Sequence, residues 1–500
     1  MGKVLVIGID GMDKKLISKF EDDLPTIRKL KNKGTSLNLQ TVFPPDSDTS
    51  WASVYTGLNP AKHGVLQFID ALEKSHKYLS EEIDNSTIRG KAFWDIAGDH
   101  EKKVCILLPH IGYPVWPVNG VMVSRSSLKD HLMTYPESLA EKYDLSDLNT
   151  IKKFPGRKKY SNEYVNQHIK LVKDSMNFGL DMYKKDNWDV FFIYSSALDV
   201  VPHFFWNCCD EDDPTYIGDN PHKDLIKNLY VLHDNYIQEF ISLADEDTTI
   251  IVHSDHGHGM RPIKMLNVNE ILKENKLLFP KKNKSTNSLR VLDKAKYKMV
   301  DYVGKNDLEN VAAKLLQTFP ILRKIYISSP SIDWDKTLAY TCDLSGIKAY
   351  SYGGIKINRE NLKDEEEYGK ICEGIILALK GVEDPNTGEK VVKWALKKEQ
   401  LYDGQFLWKY PDILFQLDED YGAGWGINEP LFGASPSHDI NPGSHKGESA
   451  VFMIYNSPKE IKNNYLSLMD IAPTILDILD ILDLENCEFD GVTIFDNLSD

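Results

Sequence analysis

The chain has 500 residues, 42% of them hydrophobic, and a formal net charge of −16 at pH 7 from 75 acidic and 59 basic side chains. This length exceeds what one ordinary hydrophobic core accommodates, so we expect two or three domains or one large sheet with an insertion. The acidic balance argues against a nucleic-acid polymer as the main partner, because phosphate backbones attract basic surfaces. A small phosphorylated substrate held by bound cations stays compatible with it.

Cysteine usage and hydropathy indicate a cytoplasmic location. The six cysteines are sparse and lack a CxxC spacing, as is typical of reduced thiols in the cytosol. The N-terminal segment MGKVLVIGIDGMD has a short apolar run and no small-residue cleavage site, so we expect no signal peptide. No window of about 20 residues is apolar and uncharged, so we expect no membrane partner. The oligomeric state stays open.

Apolar runs alternate with amphipathic stretches along the first half of the chain. We predict strands at 3–9, 104–108, 189–194 and 248–253, and helices at 24–32, from about Trp51, at 162–185 and at 224–243. Strands that alternate with helices are typical of βαβ units and of an α/β fold with a mostly parallel sheet.

The pattern changes after Gly259 and returns near residue 450. The stretch 260–435 mixes polar, lysine-rich segments with short strand patterns, and we interpret it as an insertion or cap. A strand is predicted at 450–455 and an amphipathic closing helix at 469–482. The core is therefore predicted to comprise residues 1–259 and 436–500, with approximate boundaries.

Carboxylates and imidazoles occur beside four of the predicted strands. Each occurrence alone is weak evidence, because an aspartate after a strand is often a turn former or a helix cap. Together they favour a ligand site, since open α/β sheets bind ligands at the carboxyl ends of their strands. Carboxylate and imidazole together suit zinc or manganese. The residues are Asp10, Asp199 with His203, Asp255 with His256, and His445.

Five segments carry a resemblance to a known family. They are VIGIDGMD at 6–13, PPDSDTSWASVYTGLNPAKHGV at 44–65, LDVVPHFFW at 198–206, SDHGHG at 254–259 and GSHKGESAVFMIY at 443–455. The chain resembles the alkaline phosphatase superfamily, and within it the type I phosphodiesterase/nucleotide pyrophosphatase family, especially its cytoplasmic prokaryotic branch. The resemblance implies a mostly parallel central sheet flanked by helices, with 1–259 and 436–500 as the catalytic core.

The resemblance also implies roles for the site residues. It selects Ser47 as the nucleophile, although the local sequence alone favours a turn or helix-cap serine and offers Thr49 and Ser50 as rival hydroxyls. Two divalent metal ions are implied, with zinc expected first and manganese as the alternative. The implied ligands of one ion are Asp10, Ser47, Asp255 and His256, and those of the other are Asp199, His203 and His445.

The implied function is two-metal hydrolysis of a phosphate ester through a phosphoseryl intermediate. Two divalent ions about 4 Å apart stabilise the attacking and leaving oxygens of an in-line displacement at phosphorus. A phosphotransferase or mutase, or a phosphomonoesterase, of the same superfamily is the first alternative. Phosphoglycerate mutases of this kind insert their second domain soon after the serine segment, whereas the insertion here follows His256. A non-catalytic scaffold that kept the fold is disfavoured, because all six implied metal ligands other than Ser47 are present.

Substrate contacts are less well specified. The eukaryotic members of the family place an asparagine 21 residues after the nucleophile, a position that falls on Phe68, so Gln67 beside it is the nearest amide. We predict substrate contacts at Gln67, His258 and Trp425. His258 could instead contact a metal ligand without binding the metal itself. The substrate itself, and the preference for diester over monoester, stay open because they depend on loops outside the motifs.

Overall fold

The computed structural model describes residues 2–66, 87–126, 131–149, 162–281, 332–342, 349–424, 426–435, 437–483 and 487–496, with isolated residues between 298 and 319. The strands are β1 Lys3–Ile9, β2 Thr35–Gln40, β3 Val104–Leu107, β4 Gly120–Arg125, β5 Leu132–Tyr135, β6 Val190–Ser195, β7 Thr248–His253, β8 Gly257–Met260, β9 Lys264–Asn267, β10 Ala339–Cys342, β11 Tyr352–Ile357, β12 Val392–Lys397, β13 Ile413–Leu417, β14 Tyr421–Gly424, β15 Phe432–Ala434, β16 Gly443–Lys446, β17 Val451–Tyr455 and β18 Tyr465–Ser467.

The helices lie between these strands and at the end of the chain. They are α1 Lys14–Lys19, α2 Pro25–Lys33, α3 Ser47–Thr56, α4 Pro60–His63, α5 Phe93–Asp99, α6 Ser138–Lys142, α7 Asn162–Lys185, α8 Ala197–Cys209, α9 Leu225–Leu243, α10 Val268–Glu274, α11 Glu365–Lys380, α12 Ser437–Ile440 and α13 Ile471–Ile478. Among the described residues, no helix is long and apolar enough to cross a membrane.

The central sheet has nine strands among the described residues, in the order β18-β2-β17-β7-β1-β6-β3-β4-β5. Its middle, β7-β1-β6-β3-β4, is parallel throughout, while β17 and β5 run antiparallel to their neighbours. The predicted mostly parallel α/β sheet flanked by helices is therefore confirmed. Because all five middle strands end at the same edge, the residues that follow them converge there.

Hydrophobic cores cover both faces of this sheet. In β1, Leu5 and Ile7 point into a core formed with α2, α7, α8 and α9, while Val4 and Val6 point into one formed with α3, α5 and α13. All four side chains are at most 2% exposed. A parallel strand that is buried on both faces has a near-continuous apolar sequence, which explains why VLVIGI could be recognised directly.

The predicted elements of the core agree with the structure to within one residue, apart from two helices. The helix predicted from about Trp51 begins at Ser47, because the carboxylate of Asp46 accepts a hydrogen bond from the Thr49 amide and caps it. The closing helix is shorter than the predicted 469–482. It ends at Ile478, shortly before Asp480 adopts a left-handed φ of 57°.

The stretch between β8 and β16 forms its own sheets. Strands β10, β11, β13 and β12 form an antiparallel sheet, with α11 packed in the same hydrophobic core. Tyr410 of this stretch donates its hydroxyl proton to the carbonyl of Phe43 at 2.6 Å, and the Phe43 amide donates to the hydroxyl of Tyr402 at 2.8 Å. The stretch therefore contacts the loop that leads into α3. The boundaries at 260 and 435 stay a prediction.

Candidate active site

Three neighbouring parallel strands deliver the acidic residues predicted for the site. Asp10 directly follows β1, Asp255 lies two residues after the end of β7, and Asp199 lies in the first turn of α8 after β6. Strand β1 lies between β6 and β7 in the sheet. The three carboxylates therefore meet at the carboxyl edge of the sheet, although they are up to 245 positions apart in sequence.

Ser47 is the first residue of α3 and faces these carboxylates. Its Oγ lies 3.4 Å from Asp10 Oδ1 and 3.2 Å from His256 Nε2. The residue is half-buried. The rival hydroxyls are occupied elsewhere: Thr49 Oγ1 donates to Asp46 Oδ2 at 2.7 Å, and Ser50 Oγ lies 3.3 Å from Thr41 Oγ1.

The first cluster comprises Asp10, Asp255 and His256, all of which are at most 1% exposed. His256 Nε2 lies 3.2 Å from Asp255 Oδ2 and 3.5 Å from Asp10 Oδ1. The other oxygen of Asp10 is fixed from behind, because Tyr194 donates to it at 2.7 Å and Trp51 Nε1 at 3.1 Å. Asp10 Oδ1 is thereby directed toward Ser47 and His256.

The second cluster is built around Asp199 Oδ1. His203 Nε2 and His445 Nε2 each lie 3.2 Å from that oxygen, and the two nitrogens are 3.0 Å apart. The rings of His256 and His445 stack at 3.9 Å between centroids, so the two clusters adjoin. The structure thus brings together all seven residues for which the resemblance implies metal binding.

Backbone carbonyls fix the protonation of three of these imidazoles. Nδ1 of His256, His203 and His445 lies 2.9–3.0 Å from the carbonyl oxygens of Gly257, Gly443 and Pro45 respectively. Because a carbonyl only accepts, each Nδ1 carries a proton, and Nε2 is bare whenever the ring is neutral. In the second cluster, the bare Nε2 atoms of His203 and His445 and the Asp199 oxygen lie 3.0–3.2 Å apart and repel one another unless a cation lies among them.

The electrostatics of the first cluster favour positive charge. Burial, together with the neighbouring carboxylates, raises the pKa of Asp10 and of Asp255. Although burial lowers it, Asp255 and Asp10 raise the pKa of His256 to about 9. The cluster therefore holds a proton where a cation would otherwise compensate the carboxylates, and metal binding there would release that proton.

The donor geometry fits divalent metal ions. Nitrogen and oxygen ligands lie about 2.0–2.2 Å from zinc, which places tetrahedral donors about 3.3–3.5 Å apart. The donor–donor distances given above span 3.0–3.5 Å. Asp255 Oδ2 and Asp199 Oδ1 are buried and have no hydrogen-bond partner among the described residues, which is consistent with oxygens reserved for a metal. Nitrogen and oxygen donors suit zinc or manganese.

Not every predicted residue can be placed. Gln67 and Trp425 lie outside the described residues. His258 is described: its side chain is fully buried, with Nδ1 3.3 Å from Asp199 Oδ1. It therefore lies beside the second cluster.

His110 and Asp48 were missed by the sequence reasoning. Asp48 follows Ser47 directly, and His110 lies three residues after the end of β3. Their Oδ1 and Nε2 atoms are 2.9 Å apart, and His110 Nδ1 lies 3.0 Å from the Tyr194 hydroxyl. Although burial lowers it, Asp48 raises the pKa of His110 to about 9. Ligand sites of α/β sheets lie at the carboxyl ends of the strands, and this rule applied to β3 would have indicated His110. No local pattern distinguishes Asp48 from an ordinary acidic residue in the first turn of a helix.

Arg261 was also missed. It is fully buried and donates from Nε to the Asn441 carbonyl at 2.6 Å and from a terminal nitrogen to the Gly443 carbonyl at 2.8 Å. Gly443 is the residue whose carbonyl also accepts from His203. Arg261 therefore positions the loop that leads to His445, and no sequence motif indicated this role.

Removing the hydroxyl of Tyr194 should weaken the first cluster without altering its ligands. In Tyr194→Phe, Asp10 loses its shortest hydrogen bond, and we expect the affinity for the first metal to fall about 10-fold. Metal titration of the metal-free protein measures this. Tyr236→Phe is the control, because the Tyr236 hydroxyl bonds Asn177 of α7, which is not one of the predicted metal ligands. Equal affinities in both variants would contradict the role assigned to Tyr194.

The mostly parallel sheet, and the serine beside two clusters of aspartate and histidine, are the features that the resemblance to the alkaline phosphatase superfamily implies. The sequence profile of the type I phosphodiesterase / nucleotide pyrophosphatase family matches residues 4–421, well over half of the chain, and the chain belongs to that family. The resemblance found in the motifs is thereby confirmed at the level of the family.

Two structures of one solved protein share the fold of this chain at low sequence identity. Phosphonoacetate hydrolase from Sinorhizobium meliloti 1021 in complex with phosphonoformate is 13% identical, with 96% of each chain covered and a TM-score of 0.54. Its complex with phosphonoacetate gives 13%, 96% of each chain and 0.51. Murine ectonucleotide pyrophosphatase / phosphodiesterase 5 is 12% identical, covering 96% of this chain and 95% of the other, with a TM-score of 0.48. A comparison with curated protein sequences finds no significant match.

Proposed function

We propose that this protein is a metal-dependent phosphodiesterase or pyrophosphatase that uses Ser47 as its nucleophile. One observation carries the proposal: Ser47 Oγ lies within 3.4 Å of both Asp10 and His256, at the start of α3 and on the side of the two clusters. A serine hydroxyl that faces a buried carboxylate and an imidazole nitrogen, where a divalent ion would bind, is well placed to lose its proton to become a nucleophile.

Two groups of residues would hold the metal ions. Asp10, Ser47, Asp255 and His256 would hold one, and Asp199, His203 and His445 the other. When bound, the ions would lower the pKa of the serine hydroxyl and offset the negative charge on the phosphoryl oxygens. We propose zinc as the metal, with manganese as the alternative. We also propose that the protein is located in the cytoplasm.

The reaction that we propose has two displacements at phosphorus. Ser47 Oγ loses its proton and forms a bond to phosphorus, while the bond from phosphorus to the ester oxygen breaks and the leaving group takes up a proton. A water molecule then attacks the phosphoserine, the bond from Oγ to phosphorus breaks, and the serine hydroxyl is restored. During both steps Tyr194 and Trp51 hold Asp10 in place beside Ser47.

Aromatic residues of the stretch 260–435 lie beside the second cluster, which supports a role of this stretch in substrate selection. The Tyr350 ring lies 5.5 Å from the His445 ring and 5.2 Å from the Arg261 guanidinium, and it stacks on Tyr352 at 5.0 Å. Aromatic rings at this position border the second cluster. We propose that this cap shapes the pocket for a small phosphorylated substrate, which would explain why the motifs alone leave the substrate open.

The proposal is tested by assaying bis(p-nitrophenyl) phosphate and p-nitrophenyl phosphate after metal removal and reloading. We expect diester cleavage that a chelator abolishes and that zinc or manganese restores. A higher kcat/KM for the monoester would favour the phosphomonoesterase alternative. Two bound ions without turnover of either ester would favour the non-catalytic alternative. Measuring the metal content of each sample separates a failure of loading from a failure of catalysis.

A further inference from the structure

His258 is held by backbone contacts in a fixed relation to His445. Strand β8 pairs antiparallel with β16, and His258 lies directly opposite His445 in that register. Residues directly opposite each other in an antiparallel pair share one face of the ribbon. The amide of His258 also donates to Asp13 Oδ2 at 3.2 Å, and a Cβ at Gly443 would lie 2.6 Å from His258 Nε2. The ring therefore has little freedom to turn away.

The ring of His258 is closed off from solvent. Its side chain is 0% exposed, with the His203 ring 4.6 Å away and the Trp206 ring 6.1 Å away, measured between centroids. Nε2 has no hydrogen-bond partner among the described residues, and Nδ1 faces Asp199 Oδ1 at 3.3 Å. A buried imidazole with an unsatisfied nitrogen is costly, and a metal ion bound to the ring would offset part of that cost.

The Nδ1 atom of His258 extends the second cluster. It lies 3.3 Å from Asp199 Oδ1, the same oxygen that has His203 Nε2 and His445 Nε2 at 3.2 Å. Ligand atoms of Asp199, His203 and His258 all lie within 4.8 Å of one another. Donors about 3.3–3.5 Å apart are what tetrahedral zinc requires. By contrast, a fully buried ring in this position offers no accessible atom to a substrate.

We propose that His258 is a ligand of the second metal ion through Nδ1, alongside Asp199, His203 and His445. This inference rests on the proposed function, since it presupposes the two-metal site. It would give the second ion three imidazole donors and one carboxylate donor.

Cobalt(II) loading tests the inference without reference to activity. A ligand imidazole retains one ring N–H proton, which the paramagnetic ion shifts far outside the normal NMR range. In the fully loaded wild-type protein we expect four exchangeable shifted ring protons, from His203, His256, His258 and His445. Three such protons would overturn the inference while leaving the proposed function intact. A chain that binds no cobalt at all would overturn both. The wild-type measurement does not depend on whether a variant folds.

A variant pair supports the assignment. In His258→Gln we expect three shifted protons and an affinity for the second ion at least about 10-fold weaker, with the first ion unaffected. His233→Gln is the matched control, since His233 is an equally buried imidazole that bonds Ser195 and the Leu229 carbonyl. It should retain four shifted protons and both affinities. Four shifted protons and wild-type affinity in His258→Gln would refute the role of His258 as a ligand.

Discussion

Replacing Ser47 with alanine should lower kcat/KM for bis(p-nitrophenyl) phosphate by about 10³-fold or more. Alanine has no oxygen that can form the bond to phosphorus, and removing a nucleophile eliminates the covalent route entirely. The variant also removes one oxygen donor from the first cluster, because Ser47 Oγ lies 3.4 Å from Asp10 and 3.2 Å from His256. Steady-state kinetics with excess zinc, together with metal analysis, separates the chemical loss from a loss of metal.

Ser50→Ala is the control for this prediction. Ser50 is fully buried on the same helix, and its hydroxyl lies 3.3 Å from Thr41 Oγ1. We therefore expect kcat/KM within a few-fold of wild type, provided that the variant folds. Mass spectrometry of acid-quenched wild-type enzyme should show phosphate on the peptide that contains Ser47. Turnover at the wild-type rate in Ser47→Ala, or phosphate on Thr49 instead, would disprove the assignment of the nucleophile.

The proximity of Asp10, Asp199 and Asp255 could be predicted because it follows from the sheet. Each lies at or just after the end of a buried strand, and the strands β6, β1 and β7 are adjacent and parallel. Parallel strands buried on both faces have apolar sequences that stand out, so their ends can be located to within a residue. The common edge then brings the carboxylates together without any knowledge of loops.

The remaining contacts depend on tertiary packing that no local pattern encodes. His445 lies near Asp199 because β16 pairs with β8, and the chain between them contains most of the cap. Arg261 acts through two backbone carbonyls of the loop before His445. A side chain that bonds backbone carbonyls needs no particular residue type as its partner, so it produces no recognisable motif in the sequence. The resemblance supplied Ser47 and the grouping of His445 with Asp199 and His203, but it carried no information on Arg261 or His110.

The start of α3 was placed too late in the sequence because a helix-capping residue was read as a turn former. PPDSDTS is rich in turn formers, so the sequence predicts the helix only from about Trp51. Asp46 is in fact the cap residue, with an extended φ of −112° and a carboxylate that accepts from the Thr49 amide. Aspartate favours turns and caps for the same reason, its short hydrogen-bonding side chain. Only the structure decides that Ser47 lies on a helix.

Replacing Asp255 with asparagine should remove the first metal ion and leave the second. The substitution conserves shape but eliminates one negative charge from a fully buried cluster, and we expect the affinity of the first ion to fall by about 100-fold or more. Asp255 Oδ1 accepts from the Gly11 amide at 3.3 Å, whereas Oδ2 has no hydrogen-bond partner among the described residues. The asparagine oxygen can retain the first contact but cannot replace the charge. Metal analysis after dialysis should give about one ion per chain instead of two.

Asp234→Asn is the matched control for Asp255→Asn. Asp234 is also a buried aspartate, and its two oxygens accept from the amides of Thr26 and Ile27 at the start of α2. It should retain two ions per chain, because no metal donor is lost, although the asparagine can accept only one of the two hydrogen bonds. Two ions in Asp255→Asn would count against Asp255 as a ligand. Because His258→Gln should instead weaken the second ion, the two variants separate the two sites and show whether each cluster binds its ion independently of the other.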